Sequence, residues 1–164
     1  MASAVQPHDI RTIFSFARHN RKAELEAFLD ANTDTFNIDD PDNHGNSILC
    51  VACQNGHKRI AKVALRRECN INFQNKRGNT PLHYVASAKY ITERHFCVIE
   101  FLLKKGADGL IKNDKSRSAY DVCSKRGKYA QKARDTLDKC LLGYCTWLNA
   151  DDNNSNDQNK KEEE

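Results

Sequence analysis

Apolar positions in the middle of this chain recur with the spacing of two short helices. Leu82, Val85 and Ala86 share one face of the first predicted helix, and a second apolar run occupies positions 98–103. Apolar residues three or four positions apart lie on one side of an α-helix, which is the side that packs against the protein. Gly106 then ends the second helix, since glycine readily adopts the left-handed conformation that closes many helices. The pattern predicts a unit of helix, turn, helix and stop.

The same unit occurs 33 residues earlier in the chain. The matching positions are Gly45 with Gly78, Ser47 with Thr80, and Leu49 with Leu82. A period of this length with two helices in each unit is typical of stacked repeats. In such an array each unit buries its apolar face against its neighbours, so no single globular core is needed. The sequence therefore predicts an α-helical repeat array.

These motifs resemble the ankyrin repeat family over roughly residues 43–125. The resemblance is carried by TPLH at 80–83, GH at 56–57, LLKKGAD at 102–108 and NIN at 70–72. It implies an all-α ankyrin-repeat solenoid of about four helix-turn-helix units joined by short hairpin loops. It also implies a non-enzymatic scaffold, adaptor or inhibitor, because ankyrin-like proteins bind other proteins through hairpin tips and inner helices.

Six segments are predicted along the chain. They are a flexible N-terminus at 1–9, an N-terminal capping repeat at 10–42, a repeat at 43–74, a repeat with a five-residue insertion at 75–112, a C-terminal capping repeat with an amphipathic helix at 113–148, and a disordered acidic tail at 149–164. The insertion lies between the two helices of its repeat and is expected to form a protruding lip. The amphipathic stripe runs on to Leu148, and two readings stay open: a cap over the last repeat, or an exposed partner site at Trp147 and Leu148.

Charge is distributed unevenly along the chain. Residues 1–45 carry 4 basic and 8 acidic side chains, and residues 151–164 carry 2 and 6. Residues 46–150 between them carry 20 basic and 8 acidic side chains. A basic body between acidic ends favours an acidic partner. The same charge leaves an alternative open, a basic module that binds nucleic acid or an anionic lipid surface, although ankyrin-like arrays seldom bind nucleic acid.

The remaining composition indicates an intracellular protein. Seven cysteines are many for 164 residues, but the chain starts without an apolar signal segment. Reduced thiols are therefore expected rather than a disulfide framework. No apolar run approaches the length of a membrane span. We expect a monomer in the cytoplasm or the nucleus.

Two groups of residues resemble chemical sites, and neither is predicted to act as one. Cys50, His83 and Asp121 occupy equivalent positions in three repeats, like a catalytic triad. Equivalent helices of neighbouring repeats are about 8–10 Å apart, whereas a nucleophile and its base must approach within about 3 Å. Cys50 and Cys53 followed by His57 resemble half of a zinc site, but no second pair completes it. No catalytic residue, metal or cofactor is predicted.

The partner-binding surface is predicted from the repeat register. In ankyrin-like units, the residues around the hairpin glycine and those just after the inner helix face a partner. The predicted partner-binding residues are His44, Asn46, Gln54, Asn55, Lys76, Arg77, Asn79, Tyr90, Ile91, Lys115, Arg117, Lys125 and Arg126. Six of them are basic, which predicts an acidic protein segment as the partner, with Tyr90 and Ile91 adding apolar contact. The alternative is an ordinary solvated charged surface.

The resemblance also draws attention to Asn72. In metazoan ankyrin proteins, an asparagine at this place in the hairpin can be hydroxylated by an oxygen-sensing hydroxylase. Otherwise its side chain is expected to bond to the backbone of its own hairpin, as asparagine commonly does in turns.

Overall fold

A computed structural model describes the chain from residue 7 to residue 142, with side chains from residue 10 onwards. Helices make up its regular structure, and no β-strand occurs in this part of the chain. They are α1 (Pro7–Arg18), α2 (Lys22–Ala31), α3 (Ile48–Gln54), α4 (Lys58–Arg66), α5 (Pro81–Ala86), α6 (Glu93–Lys104), α7 (Ala119–Val122) and α8 (Ala130–Leu141). The predicted all-α fold is confirmed. None of the described helices combines the length and hydrophobicity needed to cross a bilayer.

The helices form four pairs that stack in chain order. α1, α3, α5 and α7 form an inner row in which each helix contacts the next, and α2, α4, α6 and α8 form an outer row in the same way. One continuous apolar core lies between the rows and extends from Ile13 in α1 to Leu137 in α8. Because each pair contributes one layer to this core, the units stabilise one another, as in other repeat arrays.

Polar side chains fix where the inner helices begin. Ser47, Thr80 and Ser118 each accept a hydrogen bond from the backbone N–H three residues later. In α5 and α7 the bond is reciprocated: Thr80 N–H donates to His83 Nδ1 at 3.2 Å, and Ser118 N–H donates to Asp121 Oδ2 at 2.8 Å. These two pairs satisfy N–H groups that the first turn of a helix leaves free.

Three residues with side chains adopt positive φ where other units have glycine. Asn20, Glu68 and Ser116 have φ values of 57°, 59° and 54°. The glycines at the corresponding positions of other units are Gly45, Gly56, Gly78 and Gly106, all with positive φ. The left-handed conformation costs a residue with a Cβ about 1–2 kcal/mol. The turn geometry of the repeat is therefore kept at these three positions at the expense of local strain.

The five-residue insertion of the third unit does not form a free lip. α6 is three residues longer than α4, and the linker at 87–92 is three residues longer than the linker at 55–57, while α5 is one residue shorter than α3. Ile91 N–H donates to Arg126 O at 2.8 Å, and Ile91 O accepts from Tyr129 N–H at 3.3 Å. The Ile91 side chain is fully buried, so the prediction that it contacts a partner is wrong. Tyr90 beside it is 53% exposed.

The described part of the last unit agrees with part of the predicted amphipathic stripe. Ala133 and Leu137 of α8 are buried, and Cys140 is half-buried. The continuation of the stripe to Leu148, the predicted flexible segment 1–9 and the predicted acidic tail at 149–164 lie largely or wholly outside the described residues.

Candidate partner-binding surface

Three hairpin loops that precede α3, α5 and α7 share one set of internal hydrogen bonds. Asp42, Asn75 and Asn113 each accept two backbone N–H bonds through Oδ1, from the residues two and four positions later. These bonds measure between 2.8 and 3.2 Å. A side chain that binds the backbone just ahead of it stabilises a tight turn. The three tips are therefore held in the same shape.

Asparagine amides join successive hairpins to each other. Asn75 Nδ2 donates to Asn46 Oδ1 at 2.9 Å, and Asn113 Nδ2 donates to Asn79 Oδ1 at 2.8 Å. The hydroxyl of Tyr84 also donates to Asn46 Oδ1, at 2.5 Å. Asn46 and Asn79, two of the predicted partner-binding residues, thus use their amide oxygens inside the protein and position the hairpins.

This series of hydrogen bonds between asparagine side chains ends at Asp42, which lies where the later units have asparagine. A carboxylate has no N–H to donate to an earlier hairpin. Its Oδ2 instead lies 3.6 Å from Arg18 Nη2, and the Asp42 side chain is only 8% exposed. The first hairpin is therefore tied to α1 by an ion pair rather than by an amide.

Two clefts lie between neighbouring hairpins and bring most of the predicted site together. The first has a volume of about 500 Å³ and is lined by the predicted residues His44, Asn46, Gln54, Lys76 and Arg77. The second has a volume of about 530 Å³ and is lined by the predicted residues Arg77, Asn79, Lys115 and Arg117. Arg77 and Tyr84 line both clefts, which makes them the centre of the surface.

Tyr84 is a central residue that the sequence prediction missed. Its ring is half-buried on α5, and its hydroxyl is engaged with Asn46 and Asn75. The corresponding residue of the preceding unit is Val51, which has no polar side-chain atom. The repeat pattern therefore does not predict a hydrogen-bonding side chain at this position. Only contacts between separate hairpins reveal its position.

Four basic side chains at the second and third tips have no carboxylate partner among residues 10–142. Lys76, Arg77, Lys115 and Arg117, named here the tip cations, are all exposed. None lies within 4.0 Å of a carboxylate oxygen of residues 10–142. Their positive charge is therefore available to a ligand.

Basic residues of the outer row are arranged differently. Arg66 at the end of α4 lies 3.7 Å from Glu26, and Arg67 is bonded to Asp30 of the same preceding unit. The acidic first unit thus neutralises part of the outer face. Its described carboxylates form no ion pair with the tip cations.

The remaining predicted residues lie apart from the two clefts. Asn55, Tyr90, Ile91, Lys125 and Arg126 line neither of them. Next to the last four of these residues, Ser124 Oγ donates to Lys89 O at 3.3 Å, so the 87–92 linker and the segment after α7 form one surface.

The second cleft contains an ionised carboxylate, and Lys125 and Arg126 lie outside this cleft. Asp121 lines the second cleft, and hydrogen bonds from the backbone and hydroxyl of Ser118 hold the pKa of its carboxyl below the usual value. The predicted basic site is thus divided into two groups, one at the hairpin tips and one beside Tyr90.

The residues that resemble a triad each serve their own helix start. His83 Nδ1 lies 2.8 Å from Thr80 Oγ1, and its Nε2 lies 2.8 Å from Arg117 O of the next hairpin. Burial raises the pKa of the Cys50 thiol to about 11, so it stays protonated and is a poor nucleophile and a poor metal ligand at neutral pH. Among the described residues, no group of three or more histidine, cysteine or acidic side chains is placed to hold a metal ion.

Asn72 links two units rather than one hairpin. Its Oδ1 accepts the backbone N–H of Asp108 at 2.9 Å, 36 residues later in the chain. The expectation that the side chain bonds to its own hairpin is therefore wrong, because the next unit supplies the donor. Whether this asparagine is a substrate for hydroxylation stays a prediction.

Comparisons with known proteins agree with this architecture. The sequence model of the family described as "Ankyrin repeats (3 copies)" matches residues 13–113 and 49–130, which include every residue of the two clefts. A mouse (Mus musculus) protein, "Protein fem-1 homolog A-like", is 38% identical over 45 residues, or 27% of this chain and 7% of the mouse protein. The chain thus matches only a small part of that relative's length.

Proposed function

This chain belongs to the ankyrin repeat family, and from that premise we propose that it binds an acidic segment of another protein through the two clefts of its concave surface. Ankyrin repeats are protein–protein interaction modules, and the family is generally non-enzymatic. We expect the protein to act as a scaffold, adaptor or inhibitor, as a monomer in the cytoplasm or the nucleus.

The observation that carries the proposal is the contrast between the tip cations and the outer-row arginines. Arg66 and Arg67 are already paired with carboxylates of the first unit, whereas the tip cations have no carboxylate within 4.0 Å in the part of the chain that the structure describes. A cluster of unpaired cations attracts an acidic ligand and raises the rate of association. The hairpins that carry them are held by hydrogen bonds between asparagine side chains, so few groups must become ordered when a ligand binds.

The shared lining of the clefts suggests a path for the ligand. Because Arg77 and Tyr84 belong to both clefts, a segment that occupies both passes over them. The half-buried ring of Tyr84 offers apolar contact, and the tip cations bind carboxylates on either side. A segment long enough to pass Asp121 also reaches Lys125, Arg126 and Tyr90.

Charge reversal tests the proposal with a fluorescently labelled, glutamate-rich peptide as the probe. We expect the double variant Arg77→Glu, Arg117→Glu to weaken binding at least tenfold, or about 1.4 kcal/mol. The matched control is Arg59→Glu, Lys62→Glu, two exposed positions on α4 that form no ion pair. Lys58 is unsuitable as a control because its ammonium lies 5.5 Å from the centre of the Phe101 ring.

Comparing the two variants distinguishes binding at the two clefts from attraction by the overall charge of the protein. Circular dichroism should be unchanged for both, since all four side chains are exposed. Equal weakening by both would mean that overall charge, and not the clefts, attracts the peptide. Tighter binding of duplex DNA than of the peptide, with a steep dependence on salt, would favour a nucleic-acid-binding module instead.

A further inference from the structure

The linker at 87–92 is bonded to the segment at 123–129 through main-chain groups. Ile91 N–H donates to Arg126 O at 2.8 Å, and Tyr129 N–H donates to Ile91 O at 3.3 Å. Because these hydrogen bonds join backbone atoms, the side chains of the two segments extend from positions that are fixed relative to each other. The two segments therefore present one rigid surface.

Four exposed basic side chains lie on this surface. They are Lys89, Lys125, Arg126 and Lys128, named here the linker cations. None of them lies within 4.0 Å of a carboxylate oxygen of residues 10–142. Neither segment contains an acidic residue, and Lys89 Nζ lies 5.7 Å from the centre of the exposed Tyr90 ring. The positive charge is thus not offset within the two segments.

The second cleft has a different balance of charge. Its basic lining residues, Arg77, Lys115 and Arg117, are accompanied by the carboxylates of Asp114 and Asp121. A dianion gains more than a carboxylate beside each cation, and it loses more beside each carboxylate. The most highly charged group of an acidic partner is therefore expected at the linker cations rather than in this cleft.

We propose that the linker cations bind a phosphoserine of a partner protein. A phosphorylated side chain carries a charge of about −1.5 to −2 at pH 7 and offers three acceptor oxygens, so several cations can bind it at once. Lysine and arginine bind such groups through charge-assisted hydrogen bonds. The inference extends the proposed function, since the ligand is again a segment of another protein, but the phosphate site does not require the two clefts.

A single phosphate suits this surface better than an extended polyanion does. Acidic residues adjoin both segments: Glu93 directly follows the linker, and Asp121 lies two positions before Cys123. Both carboxylates are exposed. An anionic membrane that covered the linker cations would also approach these carboxylates, whereas one phosphate group need not.

Short peptides test this site separately from the clefts. Three peptides with phosphoserine, glutamate or serine between glycines are titrated into the isotope-labelled full chain. We expect the phosphoserine peptide to shift the amides of residues 89, 90 and 124–128 most. Its Kd should be at least fivefold lower than that of the glutamate peptide, because its charge is larger. The serine peptide should cause no shifts there.

A double variant, Lys125→Ala with Arg126→Ala, should weaken phosphoserine binding at least tenfold. Arg126 holds the linker through its main-chain oxygen, so circular dichroism should show an unchanged fold. The matched control, Arg59→Ala with Lys62→Ala, removes the same charge from α4 and should change the Kd less than about twofold. Equal weakening by both variants, or a phosphoserine Kd no lower than the glutamate Kd, would overturn the inference.

Two other outcomes would also overturn it. One is a set of phosphoserine-induced shifts centred on residues 76, 77, 115 and 117. The other is binding of phosphatidylserine vesicles that requires Lys125 and Arg126 while the phosphoserine peptide is not preferred, which would indicate a membrane-facing surface. The glutamate-rich peptide is measured on the same proteins: if its binding does not depend on Arg77 and Arg117, the proposed function is contradicted and the phosphoserine site stands.

Discussion

Gly127 lies directly against the backbone of Ile91. The φ of Gly127 is 108°, and a Cβ at this position would overlap both the backbone nitrogen and the carbonyl of Ile91. The flanking residues complete the contact, since Arg126 O accepts from Ile91 N–H and Tyr129 N–H donates to Ile91 O. The insertion of the third unit is thus bound to the fourth unit through main-chain groups, and a glycine makes the close approach possible.

Gly127→Ala should therefore destabilise the protein by about 2–3 kcal/mol, because a strained φ and an overlap with backbone act together. Gly106→Ala is the matched control. Gly106 also has positive φ, at 88°, but no heavy atom lies within 4 Å of a Cβ there. We expect its cost to be the conformational strain alone, about 1 kcal/mol. Urea denaturation measures both values, and equal losses would contradict the account of the Ile91 contact.

Glu68→Gly should stabilise the protein by about 0.5–1 kcal/mol. Glu68 is exposed and has a φ of 59°, so glycine relieves the strain and the gain is reduced by the extra freedom of glycine in the unfolded chain. Glu68→Ala removes the same charge and keeps the strain, so it should give no such gain. A similar increase in melting temperature for both would show that charge, rather than φ, is the cause.

The stability of the protein should fall as the solution is acidified below neutral pH, partly through His83. The ring is neutral in the fold: Nδ1 accepts from Thr80 N–H, and Nε2 donates to Arg117 O. Burial lowers the pKa of His83 below 6.5. The unfolded chain therefore binds the proton more readily. The stabilisation that the neutral His83 ring contributes is fully present above pH 6.5. It is lost as the pH falls through the pKa of His83 in the folded protein.

His83→Gln should reduce this pH dependence. Glutamine at the third helical position can still accept from the cap N–H but does not titrate, and it should lose about 1 kcal/mol at neutral pH with the bond to Arg117. Part of the slope should remain, because burial also lowers the pKa of His95. The free energy of unfolding at pH 7 and pH 5 checks this, and an identical slope in both proteins would contradict the role given to His83.

Local signals were sufficient to predict the helices and much of the register. The spacing of Leu82, Val85 and Ala86 predicted the buried face of α5, and Gly106 predicted the end of α6. These features depend on neighbours within a few positions. The period of 33 residues then extends each of them to the next unit.

Contacts between units explain where the sequence prediction was incomplete. The insertion near Ile91 could be located by counting residues, but its burial depends on backbone groups of Arg126 and Tyr129 in another unit. Tyr84 becomes central only because its hydroxyl donates to Asn46 of the preceding hairpin and accepts from Asn75 of its own unit. Asn72, likewise, finds its donor in the next unit. No local pattern encodes these partners.

A chemical-shift map of the isotope-labelled protein during titration with the glutamate-rich peptide tests the central claim most directly. We expect the largest backbone amide shifts at residues 76, 77, 84, 115 and 117, which line the two clefts. The amides of α4 and α6 on the outer row should change little. Shifts spread evenly over both rows, or confined to the outer row, would contradict the assignment of the clefts as the partner-binding surface.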